Sequence, residues 1–298
     1  MNIDPELQQD ISDSVAKALA EDIGSGDITA QLIPAEHKAQ AAIVTREDAV
    51  ACGIPWVDAI FAQLDPGIKI DWAISEGDDI QAGQTLCTLT GKARSLLTGE
   101  RAALNFLQTL SGTATVARHY SKLVADSGIT ILDTRKTLPG LRLAQKYAVH
   151  VGGCQNHRMG LYDAFLIKEN HITACGGIQQ AVERARIIAP GKPVEVEVEN
   201  LEECQQALAA GAERIMLDNF SLENVTRAVA LRDNQRDNQR DQQNGKHRTE
   251  LEVSGNIEGE ALGAYRNSGI DFISSGALTK HLSATDYSMR ITSPRYTE

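Results

Sequence analysis

The chain has 298 residues, 42% of them apolar, with 40 Asp and Glu against 29 Lys and Arg for a net charge of −11. That length suits one or two domains with a sizeable core, and the acidic balance argues against nucleic acid as a partner. Five scattered cysteines without CxxC spacing make neither a disulfide framework nor a zinc site. The polar, acidic start MNIDPELQQDISDS is no signal peptide, and no apolar run approaches a membrane span, so a cytoplasmic protein with no membrane partner is expected.

Residues 11–20 have helical spacing, and the loop EDIGSGDITA ends that helix with two glycines. AQAAIVTRED then reads as a strand, GIPWVDAIFAQL as a helix and IKIDWAIS as an alternating strand. EGDDIQAGQTLCTLTG follows, with turn-forming Gly-Asp and Ala-Gly pairs around short strands. The stretch TGERAALNFLQTLSGTATVARHYSKLVADSG reads as two helices broken near Ser111-Gly112. Thr98 is the expected N-cap of the first, with Glu100 in its opening turn. Arg101 lies on that turn and, taken alone, is a surface arginine.

From Gly128 onward β-rich runs recur: ITILDT, AFLIKEN, VEVEVEN, RIMLDNF, LEVSGN and DFISSG. Helices at 177–189, 201–210 and 222–231 lie between them. Such alternation implies a parallel sheet with right-handed crossovers. Six strands fall short of the eight in a complete TIM barrel, so an incomplete α/β barrel is the first expectation. A doubly wound open sheet is the alternative, although no GxGxxG follows a strand and opens a helix. After Leu231 comes RDNQ-RDNQ-RDQQ-NGKHR, with no apolar residue over 232–248. It is expected to bury no face and to be a solvated or disordered insert between two barrel elements.

The stretch 133–171 reverses the sign of the chain. Arg135, Lys136, Arg142, Lys146, Arg158 and Lys168 meet only Asp133, Asp163 and Glu169, with His150, His157 and His171 beside them. A site for an anionic ligand is the simplest reading. The strand ends agree, since a barrel of this kind builds its site there. Cations end the first two strands, Glu197 and Glu199 the third, Asp218 and Asn219 the fourth. Ser254, Gly255 and Asn256 follow, then Ser275 and Gly276, whose turns can supply backbone amides and hydroxyls to a phosphate.

In VEVEVEN, period-2 alternation puts Glu195, Glu197 and Glu199 on one face and the valines on the other. If the valines face helices, the glutamates face the lumen and need partners. The cations of 133–171 are one source, and a metal is the other. A structural ion network is one outcome, and Mg²⁺ held with substrate phosphates is the other. A lysine such as Lys168 at a strand end also suits a Schiff-base lyase, but its guanidinium neighbours fit anion binding at least as well.

The motifs DTRKTLPGLR, YAVHVGGCQNHRMGLYDAFLIKENH, VEVEVEN, MLDNF, EVSGN and SSGALT, in this order, resemble the quinolinate phosphoribosyltransferase family. The likeness extends upstream through EDIGSGDIT and GERAALNFLQTLSGTAT. It implies an N-terminal α/β sandwich domain over 1–113 and an incomplete, six- to seven-stranded parallel α/β barrel over 114–280. The insert 232–248 falls within the barrel, and 281–298 is able to pack back on the first domain. The activity implied is transfer of the phosphoribosyl group of phosphoribosyl pyrophosphate to quinolinate with decarboxylation, giving nicotinate mononucleotide, pyrophosphate and CO2. Mg²⁺ is implied and no organic cofactor, and the partner implied is a second copy in a homodimer with a shared active site. By the same resemblance Arg135, His157, Arg158 and Lys168 line the quinolinate pocket, and Arg101 enters it from the neighbouring subunit. Lys136 lies between the two substrates, and Glu197 and Asp218 handle the ribose hydroxyls and the metal. Ser254, Gly255 and Gly276 cradle the 5′-phosphate, with Ser275 and Asn256 beside them. Some relatives carry a second glycine where Asn256 stands.

Overall fold

A computed structural model describes residues 3–240, 248–255 and 257–294, without the side chains of 236–240 and 292–294. Along the chain run α1 (Pro5–Ile23), β1 (Lys38–Thr45), β2 (Ala49–Val50), α2 (Ile54–Leu64), β3 (Lys69–Trp72), β4 (Asp79–Ile80), β5 (Thr85–Lys92) and α3 (Ala93–Leu123). Next come β6 (Thr130–Leu132), α4 (Arg142–Val151), β7 (Phe165–Ile167), α5 (Glu169–Cys175), α6 (Ile178–Ile188), β8 (Val194–Val198) and α7 (Leu201–Ala210). The last are β9 (Arg214–Asp218), α8 (Leu222–Arg240), β10 (Glu250–Ser254), β11 (Phe272–Ser274), α9 (Ala277–Lys280) and β12 (Tyr287–Pro294). Two compact units result, one from Met1–His119, Thr137–Gly153 and Leu278–Glu298, the other from Tyr120–Lys136 and Cys154–Ala277.

The first unit holds an antiparallel sheet of order β12-β1-β5-β3, so the last strand returns to pair with the first. Helices α1 to α4 share its core, where Trp56, Phe61, Leu86, Leu96, Leu107 and Tyr147 are buried. Burying rings and branched chains of this size contributes roughly 1.5–3 kcal/mol each. α1 begins six residues before the expected 11–20, where Asp4 accepts the Leu7 N–H at 2.8 Å and Pro5 opens the first turn.

α3 corrects the reading of two helices. It is one helix of 31 residues, Thr98 lies in its interior, and Ser111-Gly112 does not break it. The Ser111 hydroxyl is buried and bonded to Cys52, accepting its N–H at 3.0 Å and donating to its carbonyl at 3.1 Å. Gly112 is there for close approach, because a Cβ would collide with the Ser283 carbonyl oxygen. Thr98 donates instead to Asp27 at 2.9 Å, tying the glycine-bearing loop to the helix.

The second unit holds six parallel strands in the order β6-β11-β10-β9-β8-β7. The last strand in sequence, β11, pairs with the first, β6, so the order is cyclic with a single seam, between β6 and β7. That is an incomplete barrel rather than an open doubly wound sheet. The seam has a cause in the chain path. The connection from β6 to β7 carries α4, whose Ala144, Tyr147 and Ala148 belong to the core of the first unit.

The insert also needs correction. α8 runs on through Arg240, and Arg232 is buried at 3% exposure. Its guanidinium reaches Asp271 at 2.9 Å, Asp233 at 2.9 Å and the Gly269 carbonyl at 3.1 Å. Gln235 donates to the Leu208 carbonyl at 3.0 Å. From the far side of the insert Arg248 pairs with the other Asp271 oxygen at 3.0 Å. An arginine needs no apolar neighbours in sequence to be buried if a carboxylate 39 residues away receives it. The side chains of 236–240, and residues 241–247 whole, lie outside the described residues. Removing 232–248 whole is therefore not neutral. Arg232→Ala leaves Asp271 half-paired and should cost about 3–5 kcal/mol in urea unfolding, the scale of a broken buried ion pair. Arg248→Ala, at a more exposed position, should cost about 1 kcal/mol or less.

Candidate active site

Asp133, fully buried just past β6, anchors the site. Its carboxylate accepts from the Asn156 amide at 2.6 Å and from the His157 backbone N–H at 2.9 Å. Gln155 bridges Leu132 like a short parallel strand, with the Gln155 N–H donating to Ile131 and the Asp133 N–H to Gln155. The segment carrying His157 and Arg158 is thus fixed beside β6.

Arg135 and Arg158 act on each other through their charges. Burial, and then the Arg135 charge, hold the Arg158 guanidinium below its ordinary range. The Arg135 Nε is buried with no partner among the described residues. Arg158 donates only weakly, to the Ala164 carbonyl at 3.4 Å. Asp163, close by, is turned toward the backbone N–H groups of Met159 (2.6 Å) and Gly160 (3.2 Å). Two guanidinium forks with spare donors and a mutual repulsion have the chemistry that suits an anion. Lys136 is exposed next to them.

Lys168 ends β7 and pairs with Glu197 of β8. Across the ladder Glu197 faces Met216, which puts Asp218 on the same side of β9, one pleat further along. Asp218 is half-buried and accepts from the Asn219 amide at 2.8 Å. Asn219 has φ 55 and its N–H reaches the Ser254 carbonyl at 2.9 Å. Its side chain fills the space that a Cβ on Gly255 (φ +113) would take. So Gly255 is required twice over, for its conformation and for the room it leaves. The Ser275 hydroxyl is committed to the chain, donating to Ile257 at 3.1 Å and accepting from Ala277 at 3.3 Å. Gly276 is half-buried between β11 and α9. Asn256 lies outside the described residues, and Arg101 is exposed on α3 in the first unit.

The lumen holds more charge than the sequence disclosed. Val194, Val196 and Val198 are buried on the side where α6 and α7 pack, and Glu195 points inward at 6% exposure. Glu199 corrects the expectation for its face: it lies beyond β8 and is exposed. Nor are the partners of Glu195 only the cations of 133–171. Arg214, at the start of β9, sits opposite both Glu195 and Glu250 in the ladders. Its guanidinium reaches Glu250 at 2.9 Å and the fully buried Glu252 at 3.3 Å, and lies 3.9 Å over the Phe272 ring. His157 Nε2 lies 2.9 Å from Glu195 and 3.6 Å from Glu252. The alternation ELEVS held the signal for Glu252, by the same rule that placed the glutamates of VEVEV.

His157, Glu195 and Glu252 are close enough to suggest a metal site, with ligand atoms within 4.8 Å of one another. With Nδ1 accepting the Arg158 N–H at 2.7 Å, the ring proton falls on Nε2, the atom that faces the carboxylates, which is then no metal ligand. One guanidinium cannot neutralise three carboxylates, and burial favours the protonated form of both members of the buried pair. Burial raises Glu195 to about 7, and burial with the Glu195 charge raises Glu252 to about 8.

The chain matches the sequence profile described as "Quinolinate phosphoribosyl transferase, C-terminal domain" over residues 113–290, and the N-terminal-domain profile over 27–111. The chain belongs to the quinolinate phosphoribosyltransferase family. It is 41% identical to the "Probable nicotinate-nucleotide pyrophosphorylase [carboxylating]" of Synechocystis sp., over 97% of this chain and 92% of that protein. It is 39% identical to the "Quinolinate phosphoribosyltransferase [decarboxylating] 1b" of Nicotiana tabacum, over 95% and 82%. The nicotinate-nucleotide pyrophosphorylase structure from Francisella tularensis superposes with a TM-score of 0.90 at 45% identity, covering 98% of each chain. Among the described residues no helix is long and apolar enough to cross a membrane.

For this member of the family the buried pair sets a pH dependence. Unfolded, both glutamates release their protons near 4.5; folded, Glu195 holds its proton to about 7 and Glu252 to about 8. The unfolded state then binds fewer protons, so the pair's contribution to stability falls as pH rises from about 4.5 to about 8 and is flat above. Glu252→Gln should remove much of that slope. Urea midpoints at pH 5 and pH 8 for both proteins check it, and equal slopes refute a retained proton.

Proposed function

We propose that this protein transfers the phosphoribosyl group of phosphoribosyl pyrophosphate to quinolinate and decarboxylates the product, giving nicotinate mononucleotide, pyrophosphate and CO2. Family membership supports the reaction class, and the like-charged Arg135–Arg158 pair supports the substrate. Two fixed guanidinium groups with unused donors suit adjacent carboxylates and discriminate a diacid from a monoacid. Lys168 adds a third cation, and His157 stands in the wall of the same pocket.

The ring nitrogen of quinolinate attacks C1′ as the bond from C1′ to pyrophosphate breaks. The departing anion leaves an oxocarbenium-like centre, so neutralising it dominates the chemistry. On this reading Lys136 serves between the two substrates, and Glu197 and Asp218 orient the ribose hydroxyls. Ser254, Gly255 and Gly276 present backbone to the 5′-phosphate, with Ser275 shaping that turn and Asn256 beside it. Two carboxylates on one face of neighbouring strands are hard oxygen donors of the kind Mg²⁺ takes together with phosphate oxygens. When bound, Mg²⁺ would supply charge neutralisation of the leaving group. The carbon–carbon bond to the 2-carboxyl then breaks, its electron pair drawn toward the new pyridinium nitrogen, and a proton replaces CO2. The pyridinium is its own electron sink, so no organic cofactor is called for.

The working form on this reading is a cytoplasmic homodimer in which Arg101 of one protomer serves the barrel mouth of the other. Release of CO2 from carboxyl-labelled quinolinate should require phosphoribosyl pyrophosphate, and release without it, or none with both, sinks the reading. Arg158→Lys keeps the charge but loses the fork, and should weaken quinolinate by about 1.5–3 kcal/mol in calorimetry.

The dimer has its own test. Arg101→Ala and Lys136→Ala should each be inactive yet folded. A mixed dimer would hold one site with both defects and one with neither, recovering about half of wild-type activity per dimer. Heterodimers without recovery would return Arg101 to its own subunit.

A further inference from the structure

We infer that Asn219 is a positioning residue for the phosphoribosyl substrate: it ties the Asp218 carboxylate to the turn at Gly255, so that the ribose and 5′-phosphate sites keep one spacing. The inference rests on the assignment of Asp218 and Gly255 to those two groups.

Asp218 and Ser254 are partners at the end of the β9–β10 ladder. One residue later both chains leave it with positive φ, 55 at Asn219 and 113 at Gly255. The Asn219 N–H still donates to the Ser254 carbonyl at 2.9 Å, so the two turns are bonded where they begin. The side chain adds two further links. Its Nδ2 donates to Asp218 Oδ2 at 2.8 Å, and its carboxamide oxygen and Cγ occupy the place that a Cβ on Gly255 would need. Glu197 on the neighbouring strand is held by Lys168. Asp218 has no such cation, and among the described residues Asn219 is the one side chain that donates to it. A left-handed residue at a strand end is met most easily by glycine, and asparagine is one of the few others that tolerate it. Glycine would give the same turn, so what asparagine adds here is the amide.

Asn219→Gly keeps the turn and removes the amide. Its thermal midpoint should stay near that of the wild type. In calorimetry with Mg²⁺ present, the Kd for phosphoribosyl pyrophosphate should rise about threefold to tenfold, the scale of one exposed hydrogen bond to a charged group. The Kd for quinolinate should not change. Wild-type affinity for phosphoribosyl pyrophosphate would mean that the residue serves the backbone alone, and equal weakening of both substrates would mean a general loosening. Either result overturns the inference.

A double-mutant cycle separates positioning from direct contact. If Asn219 acts through Asp218, adding Asn219→Gly to Asp218→Ala should weaken phosphoribosyl pyrophosphate by no more than about twofold further. The full loss in that background gives Asn219 a contact of its own with the substrate and overturns the inference.

The free protein provides a test that needs no substrate. In ¹⁵N-labelled protein, with the Asn219 side-chain amide assigned by its loss in Asn219→Gly, the Nδ2 protons should exchange with water more slowly than in Asp218→Ala. Equal rates overturn the inference. Failure of the wild-type protein to bind phosphoribosyl pyrophosphate at all would sink the substrate reading instead, and the exchange rates would still decide whether Asn219 holds Asp218.

Discussion

Two glutamates walled in by strands govern this barrel. Glu195 and Glu252 each lie almost out of reach of water, and an unpaired buried carboxylate costs several kcal/mol. The unit meets that cost three ways: one guanidinium between them, protons retained by the carboxyls, and an imidazole from the mouth that lies beside Glu195. The third links interior to site. Through His157 the segment 154–158 is bound to the barrel's inside, and through Asp133 it is bound to β6. The interior pairs and the cationic mouth are one network.

That network depends on the open seam. In a complete barrel the chain after β6 would form a helix against the outside and re-enter as the neighbouring strand. Here it supplies α4 to the other unit's core, and what returns beside β6 is a single bridging residue, Gln155. A full strand would have committed the backbone of 154–158 to ladder bonds. A single bridge leaves Asn156 and His157 free to turn toward Asp133, and lets Arg158 follow into the pocket. The gap in the wall is where the cations enter.

Much of this was legible in the chain. VEVEVEN announces a strand with charge on one face, because the side-chain period of a strand is fixed at two. The positions of Arg135, Lys168, Glu197 and Asp218 follow from where apolar runs stop. What stayed hidden shares a physical character. Arg214 opens its strand, away from the ends where a barrel's chemistry is sought, so its pairing depends on ladder register. Arg232 sits in a run with no apolar residue, and only the distant Asp271 explains its burial. Ser111-Gly112 has the composition of a helix break; packing against 283 turns the glycine into a contact. Each of these depends on a partner far along the chain.

The mouth is not simply cationic, and that bears on how it would work. Lys168 and Glu197 close on one another, with the lysine 42% exposed and the carboxylate 12%. Half-exposed pairs of this sort contribute little, about 0–1 kcal/mol. Exchanging Glu197 for a substrate carboxylate on Lys168 therefore costs little, whereas leaving Glu197 without a partner at 12% exposure would cost more. On the proposed reading the ribose hydroxyls are the groups that take it over. Occupation of the diacid pocket and of the ribosyl pocket would then favour each other, since each substrate satisfies a charge that the other displaces. The Arg135–Arg158 pair adds to this from its side, because an arriving anion would further offset a repulsion that Glu195 and Asp163 already temper. On that reading each substrate would ease the binding of the other.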